Sequence, residues 1–321
     1  MKHFYVGTFT KLGGEGILDC TIENEKIVCR RVIKEIENPS YVILSSDRKK
    51  LYAVCSDVRD AEYPGGVCSY NVGENGVVLL HRKASLGEGI CHISLSSDEC
   101  HLYGAHYGSG SVCVMETSPE LKNAKQVIPH GEVGHVHQIT QIPGSDDMLA
   151  VDLGQNRIIR YARNPQTGIL EQKSVFQTHG GIRHLDYAGN GSFYASHEIS
   201  NEISFFRMHA DGKIECMQTV SSLPEGFSGE SYAGAIRYSE KERKVYVSNR
   251  GHGSIAVFRT DLNGMLSLER FIPAGIFPRD FRLLENGCFL IADQKAGVIY
   301  SDHDGKRLDF YPQLGAVCIC I

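Results

Sequence analysis

The segment LYGAHYGSGSVCVM, Leu102 to Met115, decides how the rest of the chain is read. An aromatic residue and small apolar ones lead into a polar cluster of glycine and serine, and a second apolar run follows at once. The pair reads as an antiparallel hairpin. Gly108 to Ser111, GSGS, resembles a phosphate cradle, but it precedes a strand and not a helix, so the turn reading prevails. The same pattern recurs as FYVGTFT…GILDC, LYAVCS…GGVCSY, MLAVDLGQNRIIRY, FYASHEISNEISFF, VYVSNRGHGSIAVF and FLIADQKAGVIYS. Anchored on Tyr5, Tyr52, Tyr103, Leu149, Tyr194, Tyr246 and Leu290, the units follow each other at 47, 51, 46, 45, 52 and 44 residues. Seven such units, with further strand runs around each hairpin and no long amphipathic helical stretch between them, predict an all-β chain. The expected fold is a seven-bladed β-propeller of four-stranded blades, one domain over residues 1–321.

The two ends of the chain fit a closed ring. Only three residues precede Phe4, so the first unit begins at the second strand of its blade. GAVCICI, Gly315 to Ile321, is left over after the seventh unit is complete. A closed ring has no free edge, so this run is predicted to pair as the missing innermost strand of the first blade. A frayed apolar tail would instead invite aggregation.

Composition narrows the partners. The chain has 321 residues, a size that closed repeat folds reach as one unit. Lys+Arg 33 against Asp+Glu 38 leaves a net charge of −5, which argues against nucleic acid or an anionic membrane surface. MKHFYVGTFT enters strand-like alternation with no apolar signal region, and nowhere do about 18 apolar residues run together. Eleven cysteines form no CxxC pair, and Cys318 and Cys320 make the one CxC. They read as reduced thiols of a cytoplasmic protein, and no second ligand pair supports zinc at the CxC.

The period then gathers polar residues. About 10 to 12 residues before each anchor a short segment should begin the innermost strand, which lines the central channel. These starts are NPSY (Asn38 to Tyr41), CHIS (Cys91 to Ser94), HVHQ (His135 to Gln138), IRHL (Ile182 to Leu185), YAGA (Tyr232 to Ala235) and PRDF (Pro278 to Phe281). Just after the anchors, at the far end of the second strand, lie Ser56, His106, Asp152, Glu198, Arg250 and Asp293. Antiparallel neighbours bring these two sets to the same end of the sheet. His92, His135, His137, Arg183, His184, Glu198, Arg250 and Arg279 are thereby expected around one solvated mouth.

Each residue alone has a plainer reading, as a solvated or turn-bonded strand end. Asp152 and Asp293 read as turn residues that bond their own backbone. His197-Glu198 has no second histidine for a metalloprotease motif, and no GxSxG elbow exists. GFSGESYAG, Gly226 to Gly234, reads as a mobile connection between blades. Only the convergence of three arginines and several histidines at one mouth favours a site, and it suits an anionic small molecule.

The chain resembles the seven-bladed propeller lactonase family, which includes 6-phosphogluconolactonases and the 3-carboxy-cis,cis-muconate cyclase. The resemblance rests on YVGTFT, NPSYV, HYGSGSV, GHVHQ, DLGQNRI, GGIRH, HEIS, VSNRGHGSI and FPRDF, which together span essentially the whole chain. It implies a catalytic cluster at His135 or His137, Arg183, Glu198 and Arg250, with His92, His184 and Arg279 binding substrate. Against the family pattern, Ile182 stands for a proline, Gln155 for an aspartate, and His106 and His197 for asparagines.

The implied reaction is hydrolysis of a sugar lactone, 6-phosphogluconolactone to 6-phosphogluconate, a step of the pentose phosphate pathway. His137 or Glu198 can take the proton of a water. Arg183 and Arg250 can grip a phosphate or carboxylate and stabilise growing negative charge. No metal or other cofactor is expected, and the oligomeric state stays open. At a solvated mouth, substitutions of Arg183 or Glu198 should hardly move the melting temperature. Three other readings compete: a cyclase or lactonase acting on a carboxylated muconate, a metal-dependent gluconolactonase-like hydrolase using Asp152, Glu198, Asp293 and a histidine, and a non-catalytic binding propeller. The chain has no Trp and hence no WD dipeptide, which weighs against the last.

Overall fold

The computed structural model describes residues 2–58, 63–74 and 76–321. Their 28 strands form seven four-stranded antiparallel sheets. The blades are taken here in ring order, each running from the channel outwards. Innermost strands are Ala316–Cys320 in the first blade, Val42–Leu44 in the second, Ile90–Leu95 in the third and Val136–Gln141 in the fourth. Ile182–Gly189, Tyr232–Ser239 and Pro278–Leu283 complete the set. A short 3-10 turn at Thr10–Leu12 is the one helical element among the described residues, and no helix is long and apolar enough to cross a membrane.

The seven sequence anchors acquire a physical meaning. Each sits on the second strand of its blade and turns its side chain toward the following blade, while its neighbours in sequence face the preceding one. Tyr194 packs with Ala233 and Val247 of the sixth blade, whereas Phe193 and Ala195 pack with Leu149 and Val151 of the fourth. Leu290 likewise joins Phe4 and Val6 across the first and seventh blades. Strand periodicity of two thus lets one strand supply two cores. Strands buried on both faces need near-continuous apolar runs, as in Met148–Asp152 and Phe289–Asp293, where every residue before the final aspartate is apolar. Outermost strands such as Leu170–Gln177 face solvent and carry mostly polar residues.

Ring closure occurs as the termini implied. Tyr5 pairs with Cys320, Val6 with Ile319 and Gly7 with Cys318, in an antiparallel ladder. Asp280 of the seventh blade accepts from Ile319 N at 2.9 Å, and Arg282 Nε donates to Ile319 O at 2.8 Å. Gly7 is required there, because a Cβ on it would lie 2.3 Å from Pro39 O of the second blade. The second blade departs from expectation in one respect. Its innermost strand begins at Val42 and not in NPSY, where Asn38 takes a left-handed φ of 48° and Pro39 has no N–H to give a ladder.

Val317 and Ile319 are buried, and each such side chain contributes about 1.5–3 kcal/mol. Their combined loss approaches the whole stability of an ordinary domain, about 5–15 kcal/mol. Deleting Gly315 to Ile321 is therefore expected to abolish soluble, cooperatively unfolding protein. A truncated chain with an unchanged thermal melt by circular dichroism would contradict this closure.

Candidate active site

One backbone irregularity builds the site. The ladder between the innermost and second strands shifts register near its mouth end in six blades. The residues left unpaired are Val317, Cys91, His137, Arg183, the Gly234-Ala235 pair, and Arg279. A β-bulge leaves one residue unpaired and re-aims its side chain. Here Cys91, His137, Arg183, Arg279 and Val317 all turn to the axis and line a narrow channel space of about 20 Å³. Cys91, His137 and Arg279 also line a larger cavity of about 400 Å³ that opens at the mouth, with Glu198, Tyr107, Phe9 and Lys11.

The mouth pairing expected from the sequence is present. Arg250 lies opposite Tyr232, Asp152 opposite Val136, and Asp293 opposite Pro278. Glu198 follows the second strand of the fifth blade, where its N–H donates to Gly181 O at 2.7 Å. Its Oε2 lies 2.8 Å from both Arg183 Nε and Arg250 Nη2. Arg250 Nη2 also donates to Ala233 O at 3.0 Å, while Arg183 Nε has no aligned acceptor and so gains chiefly by charge. Arg279 contacts the Gln294 amide oxygen at 3.3 Å and covers the Phe9 ring, 5.2 Å from its centroid.

Three guanidiniums therefore face one carboxylate, with Arg183 and Arg250 buried and Glu198 and Arg279 partly open to the cavity. Burial pushes the Glu198 carboxyl up, but Arg183, Arg250 and Arg279 outweigh it and hold it below the usual glutamate range. Burial and then the charge of Arg183 pull Arg250 down to about 9 and Arg279 to about 10. Both effects report positive charge without enough negative charge beside it.

The histidines divide by depth. His137 faces the cavity, with Tyr107 edge-on at 5.9 Å and His184 edge-on at 4.9 Å. His92 lies deeper, 6.0 Å from His184 and 4.4 Å from Tyr41 between ring centroids. Arg183 Nη1 is 3.2 Å from His184 Nδ1. A guanidinium can only donate, so neutral His184 carries its proton on Nε2. Burial first, then nearby arginines, hold His137 and His184 well below the usual histidine range, and His92 is pulled down to about 3. His135 does not join the cavity lining. It stacks on Tyr107 at 4.5 Å, and its Nδ1 bonds Tyr107 O at 2.7 Å, so it supports the rim.

Asp152 and Asp293 serve the backbone. Asp152 accepts from the N–H of His135 and Gln155 and contacts His130 at 3.1 Å and Arg157 at 3.2 Å. Asp293 accepts from the N–H of Phe277, Lys295 and Ala296 at 2.9–3.1 Å. With these oxygens engaged and Glu198 held by guanidiniums, the proposed metal ligands do not converge. All four departures from the family pattern lie outside the cavity lining: His106 bonds Ser111, His197 bonds Ser204, Gln155 bonds His130 O, and Ile182 packs in the core between the fourth and fifth blades. Sequence reasoning had passed over Phe9, Lys11, Cys91 and Tyr107. Cys91 and Tyr107 adjoin His92 and His106 and share their place in the repeat. Phe9 stands four residues after Tyr5, the place that Glu198 and Arg250 hold after their anchors, so the period marks it as well, whereas Lys11 sits outside the repeated positions and gives no such signal.

The family described as "Lactonase, 7-bladed beta-propeller" matches residues 3–301. The chain belongs to this family. An uncharacterized protein of Staphylococcus aureus (strain N315) is 31% identical over 317 residues, covering 92% of this chain and 90% of its own. Among solved structures, a periplasmic gluconolactonase of Pseudomonas aeruginosa superposes with a TM-score of 0.86 at 25% identity, covering 98% of this chain and 96% of its own. A Bacteroides fragilis protein provisionally named a 6-phosphogluconolactonase has the same fold, with a TM-score of 0.86, 24% identity and coverage of 99% and 96%. The lactonase-type ring thus brings three of its six inner-strand bulges to the axis as cation or imidazole: His137, Arg183 and Arg279.

The buried histidines make a measurable demand on stability. His92, His106 and His197 have folded-state values near 3, 4 and 4, below the 6.5 of a free histidine. Unfolding then takes up protons at pH values between those limits, so stability is fully present above about pH 6.5 and is lost as pH falls toward 4. Each such histidine contributes a slope of about 1.4 kcal/mol per pH unit there. Urea midpoints measured from pH 7.5 to 4.5 should fall accordingly, and a flat profile would contradict the neutral, buried state assigned to them.

Proposed function

We propose that the protein hydrolyses a sugar lactone bearing an anionic substituent, with 6-phosphogluconolactone as substrate and 6-phosphogluconate as product. The observation that carries this is the charge surplus: Arg183, Arg250 and Arg279 against Glu198 alone, beside a cavity large enough for a small molecule. Buried cations without partners are costly, and an anionic ligand offsets that cost. Membership of the lactonase family supports the reaction class, and the charge surplus supports the choice of a charged lactone over a neutral one. A cytoplasmic site of action, inferred from the reduced-thiol reading of the cysteines, completes the proposal.

The residues divide the work as follows. Glu198 is ionised, and with Oε2 held by two arginines its Oε1 is left to accept the proton of the attacking water. His137, kept neutral, orients that water. Arg183 and Arg250 lie where negative charge grows on the carbonyl oxygen as the water adds. Ring opening breaks the bond from C1 to the ring oxygen, and the proton held by Glu198 passes to that oxygen. Water is consumed and the open-chain acid is released.

Burial revises one expectation. Arg183 and Glu198 were read as residues of a solvated mouth, yet their side chains are 3% and 18% exposed, and breaking a buried pair costs about 3–5 kcal/mol. Rates must therefore be scaled to folded protein. On that basis Arg183→Lys, which loses the forked donor set, should lose about tenfold to a thousandfold in kcat/KM. Glu198→Gln should depress kcat more than KM. Wild-type protein should prefer 6-phosphogluconolactone to gluconolactone and retain its rate in EDTA. Full activity of both variants, or activity abolished by EDTA, would overturn the scheme.

A further inference from the structure

The cavity is asymmetric around the ring. The fourth and fifth blades supply His137 and Glu198 to its lining, and Arg183 and Arg250 of the fifth and sixth blades pair with Glu198 behind it, where the carboxylate already balances part of the charge. Across the axis, the seventh, first and second blades present a different set. Arg279 has only the neutral Gln294 amide as a hydrogen-bond partner. Lys11 has its ammonium 5.4 Å from the Phe9 centroid, the same ring that Arg279 covers. Among the described residues neither cation has a carboxylate within ion-pair distance. Ser40 and Ser56 line the cavity on this side, where Ser56 Oγ accepts from Asn38 Nδ2 at 2.9 Å and donates to Glu37 O at 3.3 Å.

The geometry points to Arg279 and Lys11 as the specificity-determining anchor for the phosphate at the far end of the substrate, distinct from the arginine pair at the reacting end. This rests on the lactonase reading and adds which end of the molecule lies on which arc of blades. A phosphate monoester carries about −1.5 to −2 charges near neutral pH, which two uncompensated cations match and a single carboxylate does not. Arg279 gives a planar fork suited to phosphate oxygens, and the Phe9 face fixes its plane. Lys11, exposed within the 3-10 turn, adds a point charge. With Glu198 and Arg279 lining one continuous cavity, a lactone carbonyl at Glu198 places its far substituent on the Arg279 arc.

The test is the ratio of kcat/KM for 6-phosphogluconolactone over gluconolactone in wild type, Arg279→Gln and Lys11→Gln. A lost charge-assisted hydrogen bond is worth about tenfold to a hundredfold, so the ratio should fall by about that much in Arg279→Gln and less in Lys11→Gln. Arg279→Lys guards against a folding defect and should restore part of the ratio. Arg183→Lys, at the reacting end, should lower both rates and leave the ratio nearly intact. An unchanged ratio in Arg279→Gln would overturn the assignment. Calorimetric binding of 6-phosphogluconate and gluconate keeps the two claims separable. If wild type turns over neither lactone, the hydrolytic reading fails, yet a preference for the phosphorylated acid that Arg279→Gln abolishes still supports the anchor. Equal binding of both acids by wild type would reject it.

Discussion

The innermost strand of every blade has one edge with no further strand to pair, because beyond it lies the channel and a neighbouring blade set at an angle. Unpaired backbone groups in a buried place are costly. The chain meets this by reaching from one inner strand to the next with side chains. Ser94 donates to Ile139 O, Gln138 bonds both N–H and C=O of Leu185, and Asp186 accepts from Tyr238 N. Arg237 pairs with Asp280, which in turn accepts from Ile319 N on the closing strand. The axis of the molecule is therefore held together by polar residues, and the apolar cores lie between the blades. A channel lined in this way already has donors and acceptors pointing inward, so a polar site needs little further change to the fold.

That further change is the bulge. Without it, strand alternation would send every second side chain of an inner strand into an interblade core, and an arginine there would be buried without a partner. The extra residue breaks the alternation for one position, so Ile182 packs in the core between the fourth and fifth blades while Arg183, next to it, faces the axis. His184 then lies beside it in the same narrow space. Two charged or titratable residues in succession at the start of a buried strand are tolerable because neither enters the core. The same device in neighbouring blades concentrates charge at one place, which no single strand could do.

The fold was legible in the sequence because its signal is repeated seven times. An anchor that must fill the gap to the next blade is constrained to be large and apolar at each turn of the ring, and Tyr5, Tyr52, Tyr103 and Tyr194 announce it plainly. The arginines and Glu198 were legible through the same period, together with the rule that antiparallel ends meet. Depth was not. His135 and His137 are two residues apart and indistinguishable by spacing, and the register shift between Val136 and Gln138 decides which of them reaches the cavity. The period also cannot show that Arg183 is nearly sealed from water, since its enclosure depends on how closely Tyr41, Cys91, His137 and Arg279 of other blades approach it across the axis. Lys11 occupies a turn found in the first blade, so no repeat could have pointed to it, whereas Phe9 holds the place of Glu198 and Arg250 but carries no polar group to draw notice.

An acidic protein that concentrates cations at its axis separates two electrostatic tasks. The net charge of −5 is spread over a large surface, and at physiological ionic strength its influence decays over about 8 Å. The guanidiniums around Glu198 are screened far less, because protein and not water fills the space around them. An anion meets weak repulsion outside and strong attraction once inside the mouth, so recognition resides in the cavity and not in long-range steering. The cost falls on stability, since burial of the cations and then their mutual repulsion oppose folding, as the lowered values of Arg250 and Arg279 indicate. Glu198 makes its ion pairs at one end of the cavity, with Arg183 and Arg250, and acts on Arg279 only through space. The end without a direct ion pair is where bound negative charge has most to offset, and the order of the blades sets that end opposite the reacting one.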